Sequence, residues 1–231
     1  MTVKEAVARR PIRSFVRREG RITRSQQNAI DLHWPEFGLE LDGHLNFDTV
    51  FSTPNRPIVM EIGFGMGASL VAMAAEQTQT NFLGVEVHRP GVGSLIDSAK
   101  KQQLQNIKVS TQDAKVLLQE HIKTCSLDKI MVLFPDPWHK KRHHKRRFIN
   151  ESSIQLMLDK IKPGGVLHIA TDWLPYAQAI KDSLQQLNLK YPVEEISNLD
   201  QMNSLRKVTK FERRGQRLGH EITDILIRKQ P

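Results

Sequence analysis

Three glycines spaced by single residues, Gly63, Gly65 and Gly67, follow a short apolar stretch, and an acid, Glu61, stands two residues before the first of them. Glycines permit positive φ angles and let a ligand approach the backbone closely. A loop that binds pyrophosphate favours the spacing Gly-x-Gly-x-x-Gly, and a carboxylate beside it would repel the pyrophosphate. The loop and Glu61 therefore favour a ligand that carries positive charge.

Two more acids stand where a nucleoside would need them. Glu86 lies about 20 residues beyond Gly63, the distance at which an acid accepts hydrogen bonds from ribose hydroxyls. Asp113 follows the third predicted strand, in a position to accept a hydrogen bond from the exocyclic amine of a base. These acids predict a nucleoside ligand, and the glycine spacing and the charge of Glu61 favour S-adenosylmethionine over NAD. An NAD-linked oxidoreductase with incidental basic loops is the alternative.

The candidate catalytic residue is Asp136, an acid between Pro135 and Pro137. Each proline fixes its own φ and restricts the residue before it, so this loop is stiff. Rigid placement is what a positioning carboxylate needs. Trp138 follows directly, and its sequence context does not decide between stacking on a base and packing in the core.

Basic residues are concentrated in three segments, 1–24, 138–148 and 206–217. These segments carry eight, six and six Lys or Arg against three acids in total, so the remainder of a chain with a formal charge of +9 is acidic. This distribution predicts a face that binds a polyanion, with three solvated loops as the alternative.

The pattern of apolar residues predicts the elements that must position these side chains. Short strands at 58–62, 81–87, 107–111, 129–134, 166–170 and 222–227 alternate with helices at 68–77, 90–103, 149–161 and 174–187 and with one through Leu117 and Leu118. Strands separated by helices of this length imply parallel crossovers and a doubly wound α/β sheet. Ligands of such sheets bind at the carboxyl ends of the strands, where the glycines and acids stand.

The segment before the first strand is predicted to lie outside the sheet. Thr23 and Gln26 form a capping box that predicts a helix ending before Pro35. Residues 36–54 show no long period and predict a connector. The predicted division of the chain is a basic N-terminal arm and helix at 1–57 and an α/β domain at 58–231.

Five segments together resemble one known family. They are Glu61–Gly67, Pro135–Arg147, Gly165–Asp172 continued by Trp173 and Tyr176, Thr209–Gly215 with Gly219 and His220, and Arg13–Arg17. In these residues the chain resembles the bacterial tRNA guanine-N7 methyltransferases. The resemblance implies the Rossmann-like fold of class I S-adenosylmethionine-dependent methyltransferases, a doubly wound, seven-stranded, mostly parallel sheet with an antiparallel last strand. It also implies the reaction, methyl transfer to N7 of a guanine in the variable loop of tRNA.

The same resemblance implies roles by position. The cofactor-binding positions are Glu61, Gly63, Gly65, Gly67, Glu86, Asp113 and Asp136, and Asp136 is also the catalytic-site acid. The substrate-binding positions are Lys140, Asp172, Thr209, Lys210, Phe211 and Glu212. The RNA-contacting segment is Arg142, His143, His144, Lys145, Arg146 and Arg147.

Other classes of protein fit the sequence less well. No stretch of about 18 apolar residues is present, so no membrane span is expected, and Met1–Gly20 lacks the apolar stretch of a secretory signal. Cys125 is the only cysteine, so no internal disulfide is expected and the cytoplasm is the expected location. His139, His143 and His144 lie in a cationic run that would repel a metal ion, so no metal is expected. A monomer and a homodimer both stay open, as does a catalytically silent RNA-binding module.

We predict that Asp136→Ala reduces methyl transfer by about 100-fold or more, because a fixed carboxylate stabilises the positive charge that develops on a methylated base. Binding of the cofactor should stay measurable in this variant. Methyl incorporation into tRNA, measured beside calorimetric titration with S-adenosylhomocysteine, checks both statements. Near-normal turnover would refute the assignment.

Overall fold

The chain forms a seven-stranded sheet, seen in a computed structural model that describes residues 20–187, 193–195 and 206–230. The strands are β1 Ile58–Ile62, β2 Asn81–Val85, β3 Ile107–Ser110, β4 Leu127–Leu133, β5 Ile161–Thr171, β6 Val193–Glu195 and β7 Thr223–Lys229. Their order in the sheet is β3-β2-β1-β4-β5-β7-β6. Strands β1 to β5 are parallel, whereas β7 is antiparallel to β5 and to β6. The predicted doubly wound, mostly parallel sheet with an antiparallel last strand is confirmed.

Helices cover both faces of this sheet. They are α1 Arg24–Phe37, α2 Phe47–Val50, α3 Ala68–Glu76, α4 Arg89–Lys101, α5 Ala114–Val116 with a π-helical turn at Leu117–His121, α6 Glu151–Lys160, α7 Leu174–Gln186 and α8 Lys210–Arg217, with a 3-10 helix at Lys141–Arg146. Helices α1, α3 and α4 pack on one face, and α6 and α7 pack on the other. None of the helices in these ranges is both long and apolar enough to cross a bilayer.

Side chains of β1 alternate between the two apolar layers, as the period of two along a strand requires. Val59 packs into the layer under α3 and α4, and Met60 packs into the layer under α6 and α7. Glu61 follows on the same face as Val59 and is only 3% exposed. A charged residue is thereby carried into the interior just before the glycine loop.

Helix α1 begins at the predicted capping box but continues past Pro35. The Thr23 hydroxyl accepts a hydrogen bond from the N–H of Gln26 at 3.3 Å, and the Gln26 side chain accepts one from the N–H of Thr23 at 2.9 Å. The prediction that the helix ends before Pro35 is wrong, because α1 runs to Phe37. Burial of the Phe37 ring in the apolar layer offsets the backbone hydrogen bond that proline cannot donate.

The segment predicted to be a connector is packed onto the sheet. It contains the short helix α2 and buries Leu39, Leu45 and Phe51 in the core. A helix of one turn is too short to produce a periodic pattern, and so the sequence did not reveal it. The division of the chain at residue 57 stays a prediction, and the Arg13–Arg17 segment lies outside the described residues.

Candidate active site

The glycine loop turns from β1 into α3 with a left-handed backbone. The φ angle is 78° at Gly63, 60° at Gly65 and 79° at Gly67, a region that residues with side chains seldom adopt. A Cβ placed on Gly63 would meet no described atom within 4 Å. The backbone at Gly63 is therefore open to a ligand.

Helix α4 lies close against this loop because two of its residues lack side chains. A Cβ on Gly91 would stand 1.9 Å from the carbonyl oxygen of Gly65, and one on Gly93 would stand 2.4 Å from the carbonyl oxygen of Gln26 in α1. Both obstacles are backbone atoms, so a side chain at either position forces a helix or a loop to move. Glycine thus lets α4 contact α1 and the loop at once.

The Glu86 carboxylate fixes the loop to the start of α4. One oxygen, Oε2, accepts a hydrogen bond from the N–H of Gly65 at 2.9 Å, and the other, Oε1, accepts one from the N–H of His88 at 2.9 Å. A carboxylate can accept about four hydrogen bonds, so each oxygen keeps capacity for the ribose hydroxyls predicted from sequence.

The Glu61 carboxyl is buried beneath the loop, and its Oε2 has no hydrogen-bond partner among the described residues. Burial raises the pKa of Glu61 to about 7, the positive charge of Lys129 opposes this rise, and Glu86 adds to it. Burial also lowers the pKa of Lys129 to about 8. A buried carboxyl with an unsatisfied oxygen favours a ligand that brings a hydrogen-bond donor or a positive charge.

Asp113 caps the short helix after β3. Its Oδ1 accepts a hydrogen bond from the N–H of Lys115 at 2.8 Å, and its own N–H donates to the Gln112 side chain at 3.1 Å. Strands β3, β2 and β1 are neighbours in the sheet, so the acids at the ends of all three face the same edge. We refer to this edge, where β1 to β5 end, as the rim.

The Asp136 loop leaves the rim after β4 and is held by its own backbone. Asp136 is exposed, and its Oδ1 accepts a hydrogen bond from the N–H of Trp138 at 2.9 Å. Phe134 and Trp138, on either side of the Pro-Asp-Pro sequence, have positive φ angles of 54° and 47°. Such angles in aromatic residues store strain and are concentrated at functional sites.

Trp138 packs beneath the basic segment that follows it. The ring of His143 meets the indole edge-on with centroids 5.7 Å apart, and the guanidinium of Arg146 lies 5.2 Å from the ring centroid. The indole N–H is buried without a partner among the described residues. Trp138 therefore supports the 3-10 helix, and its stacking on a base stays a prediction.

The basic side chains of this segment do not all point the same way. Arg142, His144 and Lys145 are exposed, and His143 and Arg146 are half-buried. Arg147 is only 9% exposed. Its Nε donates to the carbonyl of Pro137 at 2.9 Å, and its guanidinium lies 4.6 Å from the centroid of the Tyr176 ring. Arg147 thus holds the Asp136 loop from inside. The resemblance had grouped it with its neighbours as an RNA-contacting residue.

Helix α8 and its cap residue Thr209 carry four of the six predicted substrate positions. Thr209 caps it by accepting a hydrogen bond from the N–H of Glu212 at 3.1 Å, and both residues are buried. Lys210 is exposed, as is the Phe211 side chain at 54%. A Cβ on Gly65 would lie 3.8 Å from the Phe211 ring, so α8 stands beside the glycine loop.

Asp172, after β5, lies under the other end of α8. A Cβ on Gly215 would stand 3.1 Å from the Asp172 carboxylate, and His220 Nδ1 lies 3.4 Å from Asp172 Oδ2. Close by, the rings of His139 and Trp173 meet edge-on with centroids 4.4 Å apart, which links the residue before Lys140 to the end of β5. Lys140 itself is exposed.

Sequence reasoning missed a buried ion network under α8. Arg206 forms ion pairs with Glu212 and Asp224, and His168 Nε2 lies 2.7 Å from Asp224 Oδ1. Burial alone would raise the pKa of Asp224, but the hydrogen bonds from His168 and Arg206 outweigh it and hold that pKa below its ordinary value. The one sign of this network in the sequence was that Arg206 lies three residues before Thr209.

These contacts bring the sequence-predicted residues to one rim. Helix α8 approaches the glycine loop through the Phe211 ring, and Arg206 lies 5.8 Å from the ring centroid of Phe134, which precedes the Asp136 loop. Among the described residues, no group of three or more His, Cys, Asp or Glu side chains is arranged to hold a metal ion.

The fold is that of the class I methyltransferases. The 16S rRNA methyltransferase KamB superposes on this chain with a TM-score of 0.55 at 12% sequence identity, over 84% of this chain and 98% of that one. At such low identity the likeness concerns the fold alone.

The family follows from sequence. The sequence model of a family described as a putative methyltransferase matches residues 55–225. A tRNA (guanine-N(7)-)-methyltransferase from Methylobacillus flagellatus is 46% identical over 232 residues, 98% of this chain and 95% of that protein. One of the same name from Yersinia pseudotuberculosis is 45% identical over 224 residues, 96% of this chain and 93% of that protein. The chain belongs to the tRNA (guanine-N(7)-)-methyltransferase family.

The raised pKa of Glu61 predicts a pH-dependent stability. A carboxyl whose pKa rises from 4.5 to about 7 on folding stabilises the fold below the lower value, and this contribution is lost as the pH rises through about 7. Glu61→Gln cannot ionise, so relative to the wild type it should gain up to about 3 kcal/mol in free energy of unfolding between about pH 5 and pH 8. Urea unfolding across this range measures the difference in free energy of unfolding between Glu61→Gln and the wild type. Glu120→Gln, at an exposed position, is the control. Parallel pH profiles for wild type and Glu61→Gln would contradict the prediction.

Comparison of Gly91→Ala with Gly93→Ala should distinguish an effect on the shape of the glycine loop from a general loss of stability. Both variants push α4 against backbone and should lower the thermal midpoint. Only Gly91→Ala displaces the glycine loop, so it should weaken binding of S-adenosylhomocysteine by about 10-fold or more, against less than about 3-fold for Gly93→Ala. Calorimetric titration of both variants is the measurement. An equal loss of affinity in the two would show that the loop does not depend on Gly91.

Proposed function

We propose that this chain transfers the methyl group of S-adenosylmethionine to N7 of a guanine in the variable loop of tRNA. The observation that carries this proposal is 46% identity over 98% of the chain to a protein named for that reaction. The arrangement of the rim supports it, because an open stretch of glycine backbone, an acid between two prolines and a cationic surface lie side by side. A tRNA substrate would place the protein in the cytoplasm.

The glycine loop and its acids suit this cofactor. Glu61 offers a buried carboxyl with an unsatisfied oxygen for the positively charged amino-acid end. Glu86 and Asp113, already fixed by backbone N–H groups, keep acceptor capacity for ribose hydroxyls and an adenine amine. The open backbone at Gly63 leaves room for the ligand. When bound, S-adenosylmethionine supplies an electrophilic methyl group on a positively charged sulfur.

Guanine N7 needs no general base from the protein. It carries an in-plane lone pair and no proton, so the residues around it contribute alignment and electrostatic stabilisation. Asp136 would accept hydrogen bonds from the N–H donors of the guanine edge and stabilise the positive charge of the methylated base. Glu212, near the start of α8, and Asp172, under its other end, would share that role, and Lys140 would bind a neighbouring phosphate.

The exposed basic side chains of the 3-10 helix would bind the tRNA backbone. Arg142, His144 and Lys145 face solvent beside the Asp136 loop, and Arg146 lies partly over Trp138. Arg147 would contribute from the inside by holding Pro137 in place. The basic segment that binds RNA and the Asp136 carboxylate would then keep a fixed position relative to each other.

A two-part experiment distinguishes this proposal from its rivals. S-adenosylhomocysteine, but not NAD, should raise the thermal midpoint, whereas an NAD-linked oxidoreductase would show the reverse. Purified protein should then methylate unmodified tRNA, and mass mapping should identify the product as 7-methylguanosine in the variable loop. No incorporation would indicate a silent RNA-binding module, and a different methylated nucleoside would refute the proposed reaction.

Replacing Arg142, Lys145 and Arg146 together by Gln should weaken tRNA binding and flatten its dependence on salt. Each lost phosphate contact lowers the slope of log affinity against log salt by about 0.7 to 0.9. A matched control replaces Lys101, Lys123 and Lys162 by Gln, which removes the same formal charge at the edge of the sheet opposite the rim. Fluorescence titration over a range of salt concentrations measures both slopes. An equal change in the two triple variants would show that net charge, and not this helix, determines binding.

A further inference from the structure

Arg206 joins three elements of the rim through one side chain that is only 8% exposed. Its guanidinium pairs with Glu212 on the buried face of α8 and with Asp224 in β7. It also lies 5.8 Å from the ring centroid of Phe134, the residue that leads into the Asp136 loop.

The Asp224 side of this network is firmly held. Arg206 Nε donates to Asp224 Oδ1 at 2.8 Å and Nη2 donates to Oδ2 at 2.9 Å, which is a two-pronged pairing. His168 Nε2 lies 2.7 Å from the same Oδ1, from within β5. The guanidinium is therefore fixed to the sheet in both position and plane.

The position of Glu212 depends on Arg206 more heavily than the position of Asp224 does. Helix α8 buries Glu212 and Gly215 and no apolar side chain, so apolar packing does not seat it. The hydrogen bonds that the described residues give to the Glu212 carboxylate all end on Oε2, from Arg206 Nη1 and from the N–H of Thr209. Oε1 of Glu212 therefore keeps its capacity to accept hydrogen bonds from a ligand.

We infer that Arg206 is a positioning residue for methyl transfer: it fixes the Glu212 carboxylate and the start of α8 against Asp224 of β7, beside the residue that leads into the Asp136 loop. The inference rests on the proposed function, because it assigns Arg206 a task in that reaction. Arg206 acts through Glu212, and it does not touch the reacting atoms. Lysine cannot replace it fully, because one ammonium group does not form a planar fork that pairs with two carboxylates at once.

The first test compares Arg206→Gln and Arg206→Lys with the wild type in methyl transfer to tRNA. Both variants should lower kcat by about 10-fold or more, Lys less than Gln, because misplacement of a substrate-holding carboxylate slows the chemical step. The affinity for S-adenosylhomocysteine should stay within about 3-fold, since the acids of the glycine loop are untouched. Arg56→Gln is the control, because Arg56 donates to the carbonyl of Thr78 away from the rim, and its kcat should not change.

A double-mutant cycle with Glu212→Gln separates positioning from general support of the fold. If Arg206 acts through Glu212, adding Arg206→Gln to Glu212→Gln should cost less than about 2-fold in the single-turnover rate. Full additivity would overturn the inference, as would a normal kcat in both Arg206 variants. Loss of folding in both would overturn it as well, in favour of a purely structural role. Wild-type activity on tRNA is measured alongside, so failure of this inference is distinguishable from failure of the proposed reaction.

Discussion

The peptide at Gly65 is the point on which the assembly of this rim depends. Its N–H is held by the Glu86 carboxylate, its carbonyl lies against Gly91 of α4, and its α-carbon faces the Phe211 ring of α8. Gly65 needs a positive φ, and Gly91 has no room for a Cβ. The absence of side chains at these two positions lets a loop and two helices come together.

Ion pairs, and not apolar contacts, hold helix α8 on the sheet. The core layers fix the strands and the helices α3 to α7, but α8 is seated on the sheet by Glu212, Arg206 and Asp224. Buried charges are costly unless they are well paired, and loss of one partner leaves an uncompensated charge. A helix secured in this way keeps a defined position, while Lys210 and Phe211 at its start stay exposed.

Much of the fold was predictable because its signals are local. The strand Ile58–Ile62 and the capping box at Thr23 came directly from periodicity and from side-chain chemistry, and both are confirmed. Strand β6 has three residues and α2 has four, which is too short for any period to appear. The error at Pro35 arose because tertiary burial of Phe37 overrode a local rule.

The candidate site was less predictable, because its geometry depends on residues far apart in the chain. Spacing located the acids after the strands, but it did not show that Arg147 turns inward to Pro137. The pairing of Arg206 with Asp224 depends on which strand lies next to β5, and no local pattern encodes this. The orphaned oxygen of Glu61 likewise appears only once the sheet is assembled.

The most direct test of the convergence at this rim is a crystal structure of the protein with S-adenosylhomocysteine and a guanine nucleotide. We expect the nucleoside of the first ligand beside Gly63, Glu86 and Asp113, with the guanine between Asp136 and Glu212. Density for the two ligands at separate edges of the sheet, or for the guanine nucleotide away from α8, would contradict the account.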